Sequence, residues 1–98
     1  MNEHELKIGP RQFDDILHNG KGCEVRFNDR NYKVGDLVIL HEHIVDHSEY
    51  TGRYAWFIIS HIQESFGLKQ GWVVLSWETI AWDDLKDLMD PASQGYAP

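Results

Sequence analysis

Two basic side chains and one acidic side chain lie close together in a short stretch near the start of the chain. Lys21, Glu24 and Arg26 fall within HNGKGCEVRFNDR, between two apolar regions. Polar and apolar residues alternate after Gly22, which predicts a strand with Glu24 and Arg26 on one face, about 6.6 Å apart along the chain. A carboxylate flanked by two cations can accept from a base amino group or polarise a water. Lysine and arginine can hold a phosphate, arginine with two parallel donors.

This charge cluster is open to three interpretations. The structural one is an exposed strand with an ion pair that contributes little to stability. As a binding site, the cluster would hold an anionic ligand. As an enzyme site, it would use Lys21 as electrophile or base and Glu24 as general acid/base, because neighbouring groups can shift each other's pKa values.

Length, charge and cysteine content limit the function classes. The 98 residues suffice for one domain, and the net charge of −7 argues against indiscriminate binding to nucleic acid through a basic face. A small pocketed ligand or a short single strand suits that charge better than a long duplex. No apolar run approaches the roughly 18 residues of a membrane helix, and no signal-peptide pattern is present. With one cysteine no internal disulfide can form, so we expect a cytoplasmic protein without a membrane partner.

The elements that must position the charged cluster are a short helix and several strands. Pro10 suits a first helical position, an apolar stripe follows at helical spacing, and Asn19-Gly20 ends the helix. Strands are predicted at 4–8, 23–28, 37–45, 54–63 and 72–80, with a loop at 48–53. We therefore predict a mainly β (α+β) domain over residues 1–80, a small closed β-barrel capped by one N-terminal helix.

An acidic segment follows, over residues 81–98. It holds four aspartates against one lysine, and Trp82, Leu85 and Met89 have helical spacing up to Pro91. We predict a short C-terminal helix that covers an exposed barrel edge. Docking to a partner or to a second copy is the alternative. Under this alternative, the protein is an adaptor and the barrel is only a scaffold.

The motifs also carry a family resemblance. Gly20-Lys21-Gly22-Cys23-Glu24-Val25-Arg26 resembles the Gly-x-Lys-x-x-Glu-x-Arg signature of ASCH domains, shortened by one residue between glycine and lysine. Further stretches, which together extend over residues 4–77, are similar to the DUF3850 branch of that superfamily: His4-Glu5-Leu6-Lys7 with Pro10 and Phe13, Asn28-Asp29-Arg30, Val34-Gly35-Asp36, Tyr50-Thr51-Gly52-Arg53, Gly67-Leu68 and Gly71-Trp72-Val73-Val74-Leu75.

The resemblance implies a PUA-like barrel with a cleft between helix and barrel that binds RNA, single-stranded nucleic acid or a modified nucleotide. Lys21, Glu24 and Arg26 would line that cleft, with Lys7 at its edge. Separately, a position beside the Thr51-Gly52 turn makes Arg53 a candidate phosphate ligand. The predicted ligand-binding residues are Lys7, Lys21, Glu24, Arg26, Arg30 and Arg53.

Some relatives implied by the resemblance are hydrolases. One ASCH branch acts on acylated cytidines with a lysine, a threonine nucleophile and a glutamate, and another is a ribonuclease. The threonine of that pattern falls three residues after the lysine, where this chain has Glu24. We expect Cys23 to be a small core residue, on one face with Val25 and Phe27. A hydrolase would therefore depend on Lys21 and Glu24 as its catalytic residues.

Two other residue groups invite a functional interpretation. His41, His43 and His47 suggest zinc, but a solvated strand end explains them better, and we expect no metal and no cofactor. Aromatic residues on the predicted strands can stack on bases, although core packing is the commoner role: Tyr54, Trp56, Trp72 and Trp77. Alternation predicts that Trp56 is packed and that Tyr54 lies at a rim.

Overall fold

Over residues 1–84, the fold combines one helix with seven strands. A computed structural model of the protein describes residues 1–84. The elements are β1 (Glu3–Ile8), α1 (Pro10–His18), β2 (Cys23–Phe27), β3 (Leu37–Ile44), β4 (Glu49–Ile58), β5 (His61–Gln63), β6 (Trp72–Ser76) and β7 (Ala81–Asp84). A single 3-10 turn, Val45–His47, connects β3 to β4. Within this part of the chain, no helix has the length and apolar character needed to cross a membrane.

The strands form two sheets. One has the order β1-β3-β4-β7 and the other the order β2-β6-β5. β1 runs parallel to β3, and all other pairs are antiparallel. The mainly β prediction is confirmed, but the backbone ladders of residues 1–84 do not close into the barrel that we predicted. β1 and β2 remain edge strands of separate sheets.

The core joins the inner faces of both sheets to the helix. Leu6, Leu40 and Leu75 are buried together with Phe13 and Ile16 of α1. The helix begins at Pro10, and at its end the Asn19 N–H donates to the Asp15 carbonyl at 3.0 Å. Gly20 follows with φ +75°, a conformation that glycine adopts without strain. The helix bounds predicted from the apolar stripe and the turn residues are therefore confirmed.

The face of β2 that turns inward is the polar one. Glu24 is only 7% exposed, whereas Val25 and Phe27 are each 49% exposed. The expectation that Cys23 lies in the core is wrong, because this residue shares the outer face and is only half-buried. The alternation of polar and apolar residues identifies the two faces of a strand, but it does not show which face packs against the core. Here cationic partners of Glu24 permit the polar face to be buried.

The inner face of β4 is likewise the opposite of the predicted one. Ala55 and Phe57 are fully buried, while Tyr54 and Trp56 are half-buried on the outer face, with ring centroids 5.5 Å apart. The prediction that Trp56 is packed in the core is therefore wrong.

Several predicted segments differ from the structure in extent or type. β4 already begins at Glu49, so 48–53 is not a loop, and the predicted 54–63 strand is divided into β4 and β5. Residues 81–84, where we predicted the start of a helix, form a strand whose Trp82 lies opposite Ala55. The free edge of β4 supplies backbone partners that a helix would not use. The rest of the predicted helix and tail, 85–98, lies outside the described residues.

A buried histidine–aspartate pair fixes the start of β3. Asp36 accepts from His4 Nε2 at 2.8 Å and from the backbone N–H groups of Asn2 and Lys33 at 3.3 and 3.0 Å. The hydrogen bond from His4, aided by those from Lys33 and Asn2, lowers the pKa of the Asp36 carboxyl. The charged carboxylate therefore stabilises the folded state at neutral pH.

We expect the stabilisation from Asp36 to be lost in acid. A carboxyl whose pKa is lower in the folded state contributes fully above its ordinary pKa of about 4, and its contribution disappears as pH falls through the folded value. Asp36→Asn should therefore lower the urea midpoint at pH 7, and its difference from the parent should shrink towards pH 3. Asp46→Asn, at an exposed position, is the control. A difference that stays constant with pH would contradict this account.

Candidate functional site

The structure brings Lys21, Glu24 and Arg26 into direct contact. The buried Glu24 carboxylate accepts from Lys21 Nζ through Oε1 and from Arg26 Nη2 through Oε2, each at 2.8 Å. Both cations are partly exposed. The carboxylate thus has its charge balanced at the floor of the site, while the cations reach solvent.

Local backbone geometry explains this convergence. Gly20 turns the chain out of α1, and the Lys21 N–H donates to the Asp15 carbonyl at 3.0 Å, which fixes Lys21 against the helix end. β2 begins two residues later and places Glu24 and Arg26 on its inner face. The sharp turn and the period of two therefore bring one cation from the loop and one from the strand to the same carboxylate.

Two arginines connect β2 and its following turn to β1. Arg26 Nη2 donates to the Lys7 carbonyl at 2.7 Å, and Arg30 Nη1 donates to the Glu5 carbonyl at 3.2 Å. Carbonyls two residues apart point to the same side of a strand. Guanidinium groups thus cover part of the free edge of β1, where a backbone ladder would close a barrel.

Two hollows lie beside these arginine contacts between β1 and β2, and Lys7 and Arg26 line both of them. The first, of about 360 Å³, lies between the start of α1 and β2 and includes Lys21 and Glu24. The second, of about 650 Å³, lies on the outer face of β1, with Arg30 among its lining residues. Both volumes fall in the range of small-molecule sites. The charged residues of the two hollows are four cations and two carboxylates: Lys7, Lys21, Arg26, Arg30, Glu5 and Glu24.

The second hollow has an aromatic wall that the sequence prediction missed. Tyr50 is 53% exposed, and Lys7 Nζ lies 5.8 Å from the centre of its ring. His41 contributes to the same wall and contacts Glu5 Oε1 at 3.0 Å. Tyr50 belongs to β4, where it pairs with His43, and the turn predicted at Thr51-Gly52 concealed this part of the strand.

Arg53 does not line either hollow, unlike the other predicted ligand-binding residues. Its Nε and Nη2 donate to the Glu42 carboxylate at 2.9 and 2.8 Å, and Nη2 reaches Asp14 at 3.2 Å. Thr51 donates to the same carboxylate at 2.6 Å. The Arg53 guanidinium also lies 4.8 Å from the centre of the Phe13 ring. Arg53 therefore joins α1 to the sheet through two carboxylates and lies apart from the other predicted ligand-binding residues.

This ion pair affects the pKa of both partners. The hydrogen bond from Arg53 lowers the pKa of the Glu42 carboxyl, against the opposing effect of burial. The same hydrogen bond raises the pKa of Arg53. Both groups are consequently charged throughout the neutral range.

Three histidines, His41, His43 and His47, lie on β3 and the turn that follows it. A β-bulge separates His41 from His43, which is buried with its ring centroid 4.8 Å from that of Tyr50. Within residues 1–84, no group of three histidine, cysteine or acidic side chains is arranged to hold a metal ion.

Comparison with known proteins gives the family. Residues 3–77 match the family described as "Domain of unknown function (DUF3850)". The chain belongs to the DUF3850 family. This DUF3850 protein is also similar to an "uncharacterized 12.9 kDa protein in GpA 3′ region" of Escherichia phage P2, with 44% identity over 50 residues. The alignment covers 51% of this chain and 44% of the phage protein, so it spans less than half of that relative.

We expect Arg53→Ala to destabilise the protein. Glu42 is 3% exposed, and the variant leaves its charge buried with the Thr51 hydroxyl as its one remaining side-chain partner among residues 1–84. Breaking a buried pair in this way costs about 3–5 kcal/mol in the free energy of unfolding. Urea unfolding measures the loss, with Arg11→Ala on the exposed face of α1 as control. A loss below about 1 kcal/mol would contradict the structural role of Arg53.

Proposed function

We propose that this DUF3850 protein binds a nucleotide, free or within RNA, in the two joined hollows beside α1. Its phosphate would contact Lys21 and Arg26, and its base would lie near Glu24 or Tyr50. One observation carries the proposal. A buried carboxylate is held between two cations at the floor of a cation-rich hollow, in a chain of net charge −7.

The electrostatics of the hollows favour a small anion. Cations outnumber carboxylates two to one there, although acidic residues predominate over the whole chain. A charged cleft between low-dielectric walls concentrates ligands of opposite sign. The acidic remainder opposes long polyanions, so the ligand is a nucleotide or a short single strand.

The remaining hydrogen-bonding capacity of the site suits a nucleotide. An ammonium has three donors, of which Lys21 uses one on Glu24. Each carboxylate oxygen of Glu24 has a second lone pair that can accept from a base amino group. Arg26 Nε is buried and has no hydrogen-bond partner among residues 1–84, so an acceptor that reached it would relieve the cost of an unsatisfied donor.

The ASCH-like motif supports the same proposal from the sequence. Its glycine, lysine, glutamate and arginine correspond to Gly20, Lys21, Glu24 and Arg26, and the last three of these line the first hollow. We further propose that the protein is a PUA-like ASCH module in which two open sheets take the place of a closed barrel. The fourth ligand-binding candidate of the resemblance, Lys7, lies where the two hollows meet.

A second candidate function is hydrolysis of a phosphodiester or an acylated base. The 2.8 Å contact between Lys21 Nζ and Glu24 Oε1 favours it, because acid–base catalysis uses such pairs. Two features favour binding instead. Glu24 occupies the position of the missing threonine nucleophile, and both of its oxygens already accept from cations, so proton transfer to Glu24 would disturb one of these bonds.

We expect Lys21→Ala/Arg26→Ala to weaken binding of uridine monophosphate at least tenfold, because each charged hydrogen bond contributes about 1.5–3 kcal/mol. Isothermal titration calorimetry measures the affinity. Lys33→Ala, which removes one exposed positive charge elsewhere, should bind like the parent. If the doubly substituted protein also binds like the parent, the nucleotide site is elsewhere.

Turnover distinguishes the two candidate functions. We expect no product when the parent protein is incubated with a panel of short RNAs and acylated nucleosides and analysed by mass spectrometry. A product that disappears with Glu24→Gln would instead establish the hydrolase, with Glu24 as its acid/base. Circular dichroism of Glu24→Gln confirms that the comparison is made on folded protein.

A further inference from the structure

Two large aromatic rings lie exposed on the outer face of the three-stranded sheet. Phe27 is 49% exposed and Trp72 is 40% exposed, and they are directly opposite each other on β2 and β6. Their ring centroids are 5.7 Å apart with an interplanar angle of 75°. Val25 continues the same apolar face. We call Val25, Phe27 and Trp72 the aromatic face.

The aromatic face is held in place despite its exposure. Gly71 has φ +87°, and a Cβ at this position would lie 2.7 Å from Cε1 of Phe27. The ring of Phe27 therefore packs directly on the backbone of Gly71. The Asn28 N–H donates to the Gly71 carbonyl at 2.7 Å and fixes that backbone. A rigid, exposed ring loses little conformational entropy when a flat ligand stacks on it.

The aromatic face is continuous with the proposed nucleotide site. A third hollow, of about 320 Å³, is lined by the whole aromatic face together with Arg26 and Arg30. The same two arginines line the hollow that contains Tyr50. The arginines therefore lie between two separate aromatic surfaces, Tyr50 on one side and the aromatic face on the other.

We propose that this surface binds a single-stranded oligonucleotide, with bases stacked on both aromatic surfaces and phosphates at Arg26 and Arg30. The inference rests on the proposed function and extends it from one nucleotide to several. Aromatic rings beside a cationic groove are the recurring means of binding single strands, because every base has a face that can stack. A duplex keeps its bases paired and cannot use these rings.

The charges favour a nucleic acid over an apolar partner on this face. Arg30 is about half exposed, and its Nε lies 3.8 Å from the more exposed Asp29, too far for a tight pair. Glu24 and Asp29 are the carboxylates of the third hollow, and Glu24 is already bound to Lys21 and Arg26. A guanidinium that reaches solvent beside stacked rings can bind a phosphate or stack on a base itself.

The experiment compares ligands of increasing length. Fluorescence anisotropy measures binding of a uridine hexamer, its deoxythymidine counterpart and a hairpin duplex, and calorimetry measures uridine monophosphate. We expect the hexamer to bind at least tenfold more tightly than the monophosphate, and both single strands to bind more tightly than the duplex. Phe27→Ala and Trp72→Ala should each weaken hexamer binding about tenfold and leave monophosphate binding unchanged.

Two further variants and a stability measurement show whether weaker binding comes from the lost aromatic ring or from unfolding of the variant. Trp72→Phe keeps an aromatic surface and should retain most of the hexamer affinity. Trp82→Ala removes a tryptophan of similar exposure, 44%, on β7, at the other edge of the four-stranded sheet from β1, and should bind like the parent. Thermal unfolding of each variant shows whether it is folded at the assay temperature.

The inference is overturned if the hexamer binds no more tightly than the monophosphate, or if Phe27→Ala and Trp72→Ala bind it like the parent. It is also overturned if sedimentation shows that the aromatic face mediates self-association and the two variants affect only that. In each case, retained monophosphate binding would leave the proposed function intact. Absence of binding to every nucleotide and oligonucleotide would instead show that the proposed function itself is wrong.

Discussion

The buried carboxylate of Glu24 is the interaction on which the rest of the site depends. A charge removed from water is stable only when it is paired and hydrogen-bonded, and Glu24 receives one cation on each oxygen. Through Lys21 it fixes the loop after α1, and through Arg26 it fixes the edge of β1. Helix, loop and both sheets therefore meet around one carboxylate.

The separation of the two sheets creates the space for a ligand. β1 and β2 are both edge strands, and arginine side chains rather than a backbone ladder connect them. A ladder would bring neighbouring strands to about 4.8 Å and leave no room between them. Long guanidinium side chains bridge a wider gap, and hollows lined by the same arginines lie beside it. The same contacts thus cover the edge of β1 and line the candidate site.

Sequence patterns that span only a few residues predicted the helix α1 and the strand β2. Pro10, the apolar stripe and Gly20 define α1, and alternation defines β2, because each depends on residues a few positions away. The face of β2 that turns inward depends on partners from the loop, which alternation does not encode. Arg53 illustrates the same limit. Its partner Glu42 precedes it by 11 residues and meets it only when β3 and β4 pair.

The crystal structure of the protein with uridine monophosphate tests the central claim most directly. The account predicts phosphate oxygens within hydrogen-bond distance of Lys21 Nζ or the Arg26 guanidinium, with Glu24 still between the two cations. A nucleotide bound on another surface, with the hollows beside α1 filled by solvent alone, would contradict it.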